Sequence, residues 1–162
     1  MEDKLLSVMK KYLPYIIFVL LAYAVGYVSM NMQKDALVEW YPYLEKSSLN
    51  PPGIVFAIVW PVLYLLMGVS AGVLWNVHSI YSWFVILIFF VQLGLNLMWS
   101  FCFFYMRSPS MGLVVLSLLI IAVVLYVVMA YLVKRSAGLL NVPYVLWLVF
   151  ALYLNAYVVL NN

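Results

Sequence analysis

Between Lys46 and Arg107 the chain runs for 60 residues without an Asp, Glu, Lys or Arg, and after Arg107 the next charge is Lys134. A bilayer core takes about 20 apolar residues per helix, so the first stretch holds two spans and the second holds one. Turn signals divide these stretches and their flanks at Asn50-Pro51-Pro52, at Asn76-Val77-His78-Ser79, at Ser108-Pro109-Ser110 and from Lys134 to Gly138. The pattern predicts five spans, at about 14–32, 53–76, 79–106, 109–133 and 139–160, with a long connection over 33–52. It therefore predicts an all-α membrane protein, a five-transmembrane-helix bundle forming one domain over residues 1–162. Residues 113–133 are apolar on every face, which argues against the alternating strands of a barrel. Lys10 and Lys11 before an apolar run, with Ala22-Tyr23-Ala24 as a mimic of a cleavage site, also fit a signal peptide. The run continues through Val28 amid aromatics, however, and this favours a span.

Composition removes the alternatives. Of 162 residues, 69% are hydrophobic and 8% charged, with a mean hydropathy of +1.13, whereas soluble domains run about 45–50% apolar and about 25% charged. A chain this short cannot hide so much apolar surface in one water-facing core. Disordered, collagen-like and coiled-coil classes need compositions absent here. The net charge of +3 comes from scattered basic residues, so no nucleic-acid partner is expected. Five spans put the termini on opposite sides, with Lys4, Lys10, Lys11, Lys134 and Arg135 on one and Lys34, Lys46 and Arg107 on the other. This bias favours a cytoplasmic N-terminus, and a multi-pass protein of the cell membrane is expected. Cys102, alone in an apolar run, forms no internal disulfide and reads as a small core residue.

No charged side chain lies deep in any predicted span, which disfavours proton- or ion-coupled pumping. The one histidine, His78, falls in a short loop, and no hydrolytic triad, metal cluster or phosphate loop is present; neither a catalytic residue nor a metal site is expected. What remains are amides and aromatics on helical faces. Gln92, Asn96, Trp99 and Phe103 share one face of the third span, Trp60, Tyr64, Met67, Gly68, Ala71 and Trp75 one face of the second, and Tyr144, Trp147, Ala151, Leu154 and Asn155 one face of the fifth. Such faces serve more often as helix-packing surfaces with interfacial aromatics than as the wall of an apolar cavity with a few hydrogen-bonding points. Gly68-Val-Ser-Ala-Gly72 lets a helix approach closely, within the bundle or across a dimer. Two stretches fit sterol-recognition patterns formally, Val127 to Lys134 and Lys10 with Tyr15 and Val19. The connection from Gln33 to Pro52 carries Trp40-Tyr41-Pro42-Tyr43-Leu44-Glu45-Lys46, too aromatic for a solvated tether, and should pack on the bundle mouth as a lid. Lys34, Lys46 and Arg107 would then stand near one entrance, available to acidic groups of a ligand or to lipid phosphate.

Taken in order, these residues resemble the translocator protein family, also called tryptophan-rich sensory proteins or peripheral-type benzodiazepine receptors. The resemblance runs through Trp40-Tyr41, Leu44 and Lys46, then Pro51-Pro52, Phe56, Val59-Trp60, Leu63-Tyr64 and Met67-Gly68. It continues with Gln92, Leu95-Asn96, Trp99, Phe103-Phe104 and Arg107, and closes with Pro143-Tyr144, Trp147, Phe150-Ala151 and Leu154-Asn155. It implies a five-helix membrane protein, commonly a homodimer, binding porphyrins, sterols and synthetic benzodiazepine- or isoquinoline-type ligands in a cavity under the first loop, lined mainly by spans one, two and five. By position, Phe56, Ala57, Val59 and Trp60 would form the second-span wall, Asn96 and Trp99 the third-span contribution, and Trp147, Ala151 and Leu154 the fifth-span wall. Trp40, Lys46, Pro51 and Arg107 would form the lid and entrance.

Two departures bear on function. The family's Lys-Pro-x-Trp-x-Pro-Pro is here Lys46-Ser-Ser-Leu49-Asn50-Pro51-Pro52. In some bacterial relatives the missing Trp, with the one matching Trp147, is associated with light-dependent breakdown of porphyrin, so Leu49 removes a redox-active stacking partner. Animal members end the last span with a sterol motif of Leu, Tyr and Arg, whereas here Leu154 and Tyr157 are followed by no cation. The expectation is a polytopic protein that binds porphyrins (protoporphyrin or haem) and related flat hydrophobic ligands in sensing or transport, with no required cofactor. The rivals are a light-dependent porphyrin-degrading enzyme and a membrane scaffold without a specific ligand.

Overall fold

A computed structural model describes residues 2–162, with side chains from residue 8 onward; Lys4, counted above for orientation, lies outside the described side chains. The described residues are 86% helical and contain no strand. Helix α1 (Glu2–Glu39) leads through a 3-10 turn (Tyr41–Tyr43) to α2 (Gly53–Trp75). Then come α3 (Ile80–Ser100), extended by a π-helical turn (Phe101–Tyr105), α4 (Pro109–Val133), a short α5 (Arg135–Leu139) and α6 (Val142–Asn161). Five segments are long and apolar enough to cross a membrane, the first within Val8–Glu39 and the last taking α5 and α6 together as Arg135–Asn161.

Local chemistry sets the helix ends. Pro51 and Pro52 hold the chain extended, with ψ 150° at Pro52, and α2 starts at the next residue. Ser79 and Ser82 exchange side-chain-to-backbone hydrogen bonds of 3.0 Å at the head of α3, satisfying two N–H groups that would otherwise face hydrocarbon. Pro109 opens α4 at a position where its missing N–H costs nothing.

Two expected boundaries are corrected. The first helix does not end near residue 32: it continues to Glu39, which shortens the connection expected over 33–52 to residues 40–52. The polar run Gln33-Lys34-Asp35 contains no helix breaker, and the extra two turns find partners. Ala36 packs with Phe103 and Phe104, and Gln33 Nε2 donates to Ser100 Oγ at 3.1 Å. At the other end, Leu139 belongs to α5 and not to the last long helix. Gly138 sits against the backbone of Tyr131, where an added Cβ would lie 2.6 Å from Tyr131 Cβ, and the chain turns there before Pro143 enters the first turn of α6.

Helices α1 and α2 pack at backbone range. A Cβ added to Gly68 would lie 2.4 Å from Val19 Cα, and one added to Gly72 would lie 2.9 Å from Tyr15 Cα. The small-residue face is therefore used inside the bundle. The main core, with Tyr64, Met67, Leu74, Phe89, Leu116, Leu119 and Tyr126 all buried, fills the centre. A second, smaller core of Ala36, Phe103, Phe104 and Val158 lies under Trp40, Tyr41 and Leu44. The π turn makes this second core: Cys102, Phe103 and Phe104 are all buried in succession there, and the turn closes with Arg107 in the left-handed region at φ 51°.

Candidate functional site: an aromatic gap beneath a clasped lid

Helix α6 packs along α4, but the backbones of α2 and α6 hardly approach each other. Aromatic side chains bridge the space between them. Phe56 meets Trp147 edge-on at 5.5 Å, and Trp60 meets Tyr144 edge-on at 6.3 Å. On its other sides Trp60 stacks on Tyr64 at 5.7 Å and on Trp99 at 6.3 Å. Trp99 continues to Phe103 at 5.7 Å, and Trp40 of the lid meets Phe103 at the same separation. One run of rings thus connects the middle of the bundle to the lid.

Hydrogen bonds fix these rings from behind. Asn96, buried on α3, accepts from Tyr64 OH at 2.8 Å and donates to Tyr144 OH at 3.0 Å, so one amide ties α2, α3 and α6 together. Asn155 accepts from Trp99 Nε1 at 3.2 Å and donates to the Pro109 carbonyl at 2.9 Å. Among the described residues four side chains hold a buried polar atom without a partner: Ser29, Asn141, and two of the expected inward-facing residues, Trp147 and Gln92. The indole N–H of Trp147 is buried without an acceptor, although the Trp147 side chain as a whole is half-buried beside Phe56. The amide of Gln92 is wholly buried with neither end partnered.

Of the expected wall residues, Phe56 and Trp147 meet each other, whereas Trp60 meets Tyr64, Trp99 and Tyr144. Asn96 and Trp99 stand behind Trp60. Val59 packs against the main core, Ala151 is buried and Leu154 is half-buried on the face of Trp147. Ala57, 100° further round the helix from Phe56, is exposed. Trp60 and Trp99 are packed against each other, so the three indoles line no single open face: Trp147 pairs with Phe56 instead.

The lid reads differently from its sequence. Lys46 and Arg107 do not stand ready for an acidic ligand. The Lys46 ammonium donates to the carbonyls of Tyr41, Pro42 and Leu44 at 2.7–3.1 Å and lies 5.0 Å from the Tyr41 ring centre, using all three protons to hold the loop. Arg107 pairs with Glu39 at 2.7 Å, closing the α3–α4 turn onto the end of α1. Burial raises the Tyr41 phenol above its usual pKa, and its hydroxyl donates to Asn50 Oδ1 at 3.0 Å. Pro51 is half-buried at the head of α2 and Leu49 is 63% exposed.

Sequence reasoning missed the clasp between lid and α6. Ser47 and Tyr153 join through their hydroxyls at 2.7 Å, and the Asn162 amide accepts from Glu45 N–H at 2.9 Å and donates to Glu45 C=O at 3.2 Å. Neither has a sequence signature, because the partners lie more than 100 positions apart. Tyr153→Phe removes one such bond, and a hydrogen bond contributes about 1 kcal/mol net. Hydrogen exchange at the Glu45, Leu49 and Asn50 amides is therefore expected to quicken by about fivefold with the exchange of core amides unchanged; equal acceleration throughout would mean that the bond stabilises the whole bundle and not the lid.

These features define a multi-helix membrane protein with an aromatic gap between two spans, closed at one end by a clasped loop. The TspO/MBR family profile matches residues 18–160, and the chain belongs to that family. It is similar to a tryptophan-rich protein TspO of Archaeoglobus fulgidus, 35% identical over 144 residues that cover 89% of this chain and 94% of that one. A tryptophan-rich protein TspO of Chlorobaculum tepidum is 39% identical over 139 residues, covering 83% and 87% of the two chains. The translocator protein of Sus scrofa is 31% identical over 147 residues, covering 89% and 87%.

Proposed function

We propose that this chain binds flat, hydrophobic, tetrapyrrole-like molecules in the gap between α2 and α6, and serves their sensing or transport within the membrane. The observation that carries this reading is the Trp147 indole: a buried N–H without an acceptor, set against the Phe56 ring where two spans stand apart. An unmet donor in an apolar surrounding costs about 1–3 kcal/mol, and a ligand carrying a carboxylate or carbonyl at that point removes the cost. Flanking rings at Phe56, Trp60 and Tyr144 supply stacking area, and the small Ala151 lies buried on the Trp147 face of α6. Binding rather than turnover is supported by the sensory and translocator names of the relatives and by Leu49, an aliphatic residue where porphyrin-degrading relatives are expected to hold an indole. Sterols are the second ligand class of the same reading. A homodimer belongs to it too, and would have to use a surface other than the Gly68 and Gly72 face, which α1 already covers.

The test is titration of detergent-purified protein with protoporphyrin, read by tryptophan quenching and by the shift of the porphyrin absorbance band. Saturable binding is expected in the wild type and its loss in Ala151→Phe, with helicity retained and melting lowered by the overpacking of a buried position. Trp147→Phe keeps a ring but removes the N–H, and should weaken affinity about five- to tenfold. Equal or non-saturable responses in all three proteins would mean partitioning into the micelle and would favour a scaffold role.

A further inference from the structure

Far from the lid, a groove of about 230 Å³ runs down the outside of the bundle between Lys10, Leu13, Pro14, Ile17 and Phe18 of α1 and Trp75 of α2. Its wall is apolar except at Lys10. Trp75 meets Trp83 edge-on at 4.5 Å and Phe18 at 5.6 Å, so two indoles mark this as the level of a membrane–water boundary. From Lys10 to Phe18 the helix rises about 12 Å, which takes the groove from the headgroup layer into the hydrocarbon.

The charge of the molecule is concentrated at this end. Among the described side chains, Lys10, Lys11, Lys134 and Arg135 stand there and no acidic one does. At the lid end, Lys34, Lys46 and Arg107 are balanced by Asp35, Glu39 and Glu45. Pro14 adds a second polar element. Having no N–H, it leaves the Lys10 carbonyl without the donor a regular helix would supply. Lys10 thus offers a cation beside a carbonyl that lacks its i+4 helical donor, at the top of an apolar channel.

We infer that this groove holds one anionic glycerophospholipid. Its phosphate lies on the Lys10 ammonium, a headgroup hydroxyl donates to the Lys10 carbonyl, and an acyl chain lies along Leu13 and Ile17 to Phe18 and Trp75. Phosphatidylglycerol has this combination of charge and hydroxyls, whereas phosphatidylcholine has neither a net charge nor a donor.

The full chain, reconstituted in phosphatidylcholine vesicles, is tested with a small fraction of lipid brominated on the acyl chain, either phosphatidylglycerol or phosphatidylcholine. The Trp75 contribution is the quenching that disappears in Trp75→Phe. At equal mole fraction, brominated phosphatidylglycerol should quench Trp75 about fivefold more effectively, the preference expected of one lysine at an anionic headgroup. Lys10→Gln should remove the preference, and Lys134→Gln with Arg135→Gln, which lowers the same end's charge by more, should leave it intact. Equal quenching by the two lipids overturns the site. So does a preference lost only in the Lys134 and Arg135 variant, which would report general surface charge, or equal quenching by a brominated fatty acid, which would remove the role of the headgroup.

Discussion

Gly68→Ala should be among the most damaging single-methyl changes possible in this chain, costing about 3 kcal/mol or more. The new Cβ would sit 2.4 Å from Val19 Cα and 2.6 Å from Val19 N. Both are backbone atoms, so no side-chain rotation relieves the overlap, and α1 must move away from α2 along its length. Gly94→Ala provides the contrast. Nothing lies within 4 Å of a Cβ there, and alanine is the better helix former by about 1 kcal/mol, so the same substitution on α3 should be neutral or mildly stabilising. Unfolding midpoints in mixed detergent and SDS micelles, followed by helicity, separate the two. Equal midpoints would mean that α1 and α2 are held less closely than their backbones indicate. The oligomeric state of the Gly68→Ala protein that remains folded should match wild type, since this face is already occupied within the chain.

That same glycine shows what the sequence could carry. Gly68 and Gly72 announced a close helix approach but not the identity of the approaching helix, because a small-residue stripe describes one surface only. The long charge-free runs and their Pro and polar breaks made the helices legible, since a bilayer leaves the backbone few other ways to satisfy its polar groups. The end of α1 was less legible. Gln33, Lys34 and Asp35 are polar, and polarity marks the edge of hydrocarbon, whereas helix continues as long as nothing breaks it and partners such as Ser100 and Phe103 are within reach. The π turn at Phe101–Tyr105 has no sequence pattern at all, because one extra residue in a run of aromatics leaves hydrophobicity unchanged.

The site divides in the same way. Periodicity alone put Gln92, Asn96, Trp99 and Phe103 on one inward face, and Gln92, Asn96 and Phe103 are buried there. It could not say which of them would be engaged. Asn96 binds two phenols while Gln92, one turn away, binds nothing. Charge was the least reliable guide. Lys46 and Arg107 look from sequence like entrance cations, but a lysine beside three turn carbonyls and an arginine beside Glu39 satisfy local groups first, and those groups become neighbours only on folding.

Asn96→Leu is the second large effect expected. The amide is buried within a span, accepting from Tyr64 and donating to Tyr144. Leucine removes both bonds and leaves two phenol oxygens in an apolar interior, at a cost of about 2–3 kcal/mol. The bonds themselves account for the smaller part, because hydrogen bonds between membrane helices average about 0.6 kcal/mol. The larger part is desolvation of the stranded hydroxyls, and this is separable by experiment. Tyr64→Phe and Tyr144→Phe each strand one half of the amide and should cost about 1–2 kcal/mol. Combining both with Asn96→Leu removes every polar atom of the group at once, and the triple variant should recover most of the stability lost by Asn96→Leu alone. Strict additivity, with the triple variant weaker than any single one, would mean that shape and not polar satisfaction joins the three helices here. Recovery of stability in the triple variant also isolates function from folding. The rings of residues 64 and 144 still flank Trp60, so protoporphyrin affinity should stay near wild type if the Trp147 side of the gap supplies the polar contact. A large loss would place the ligand's polar end at Asn96 instead.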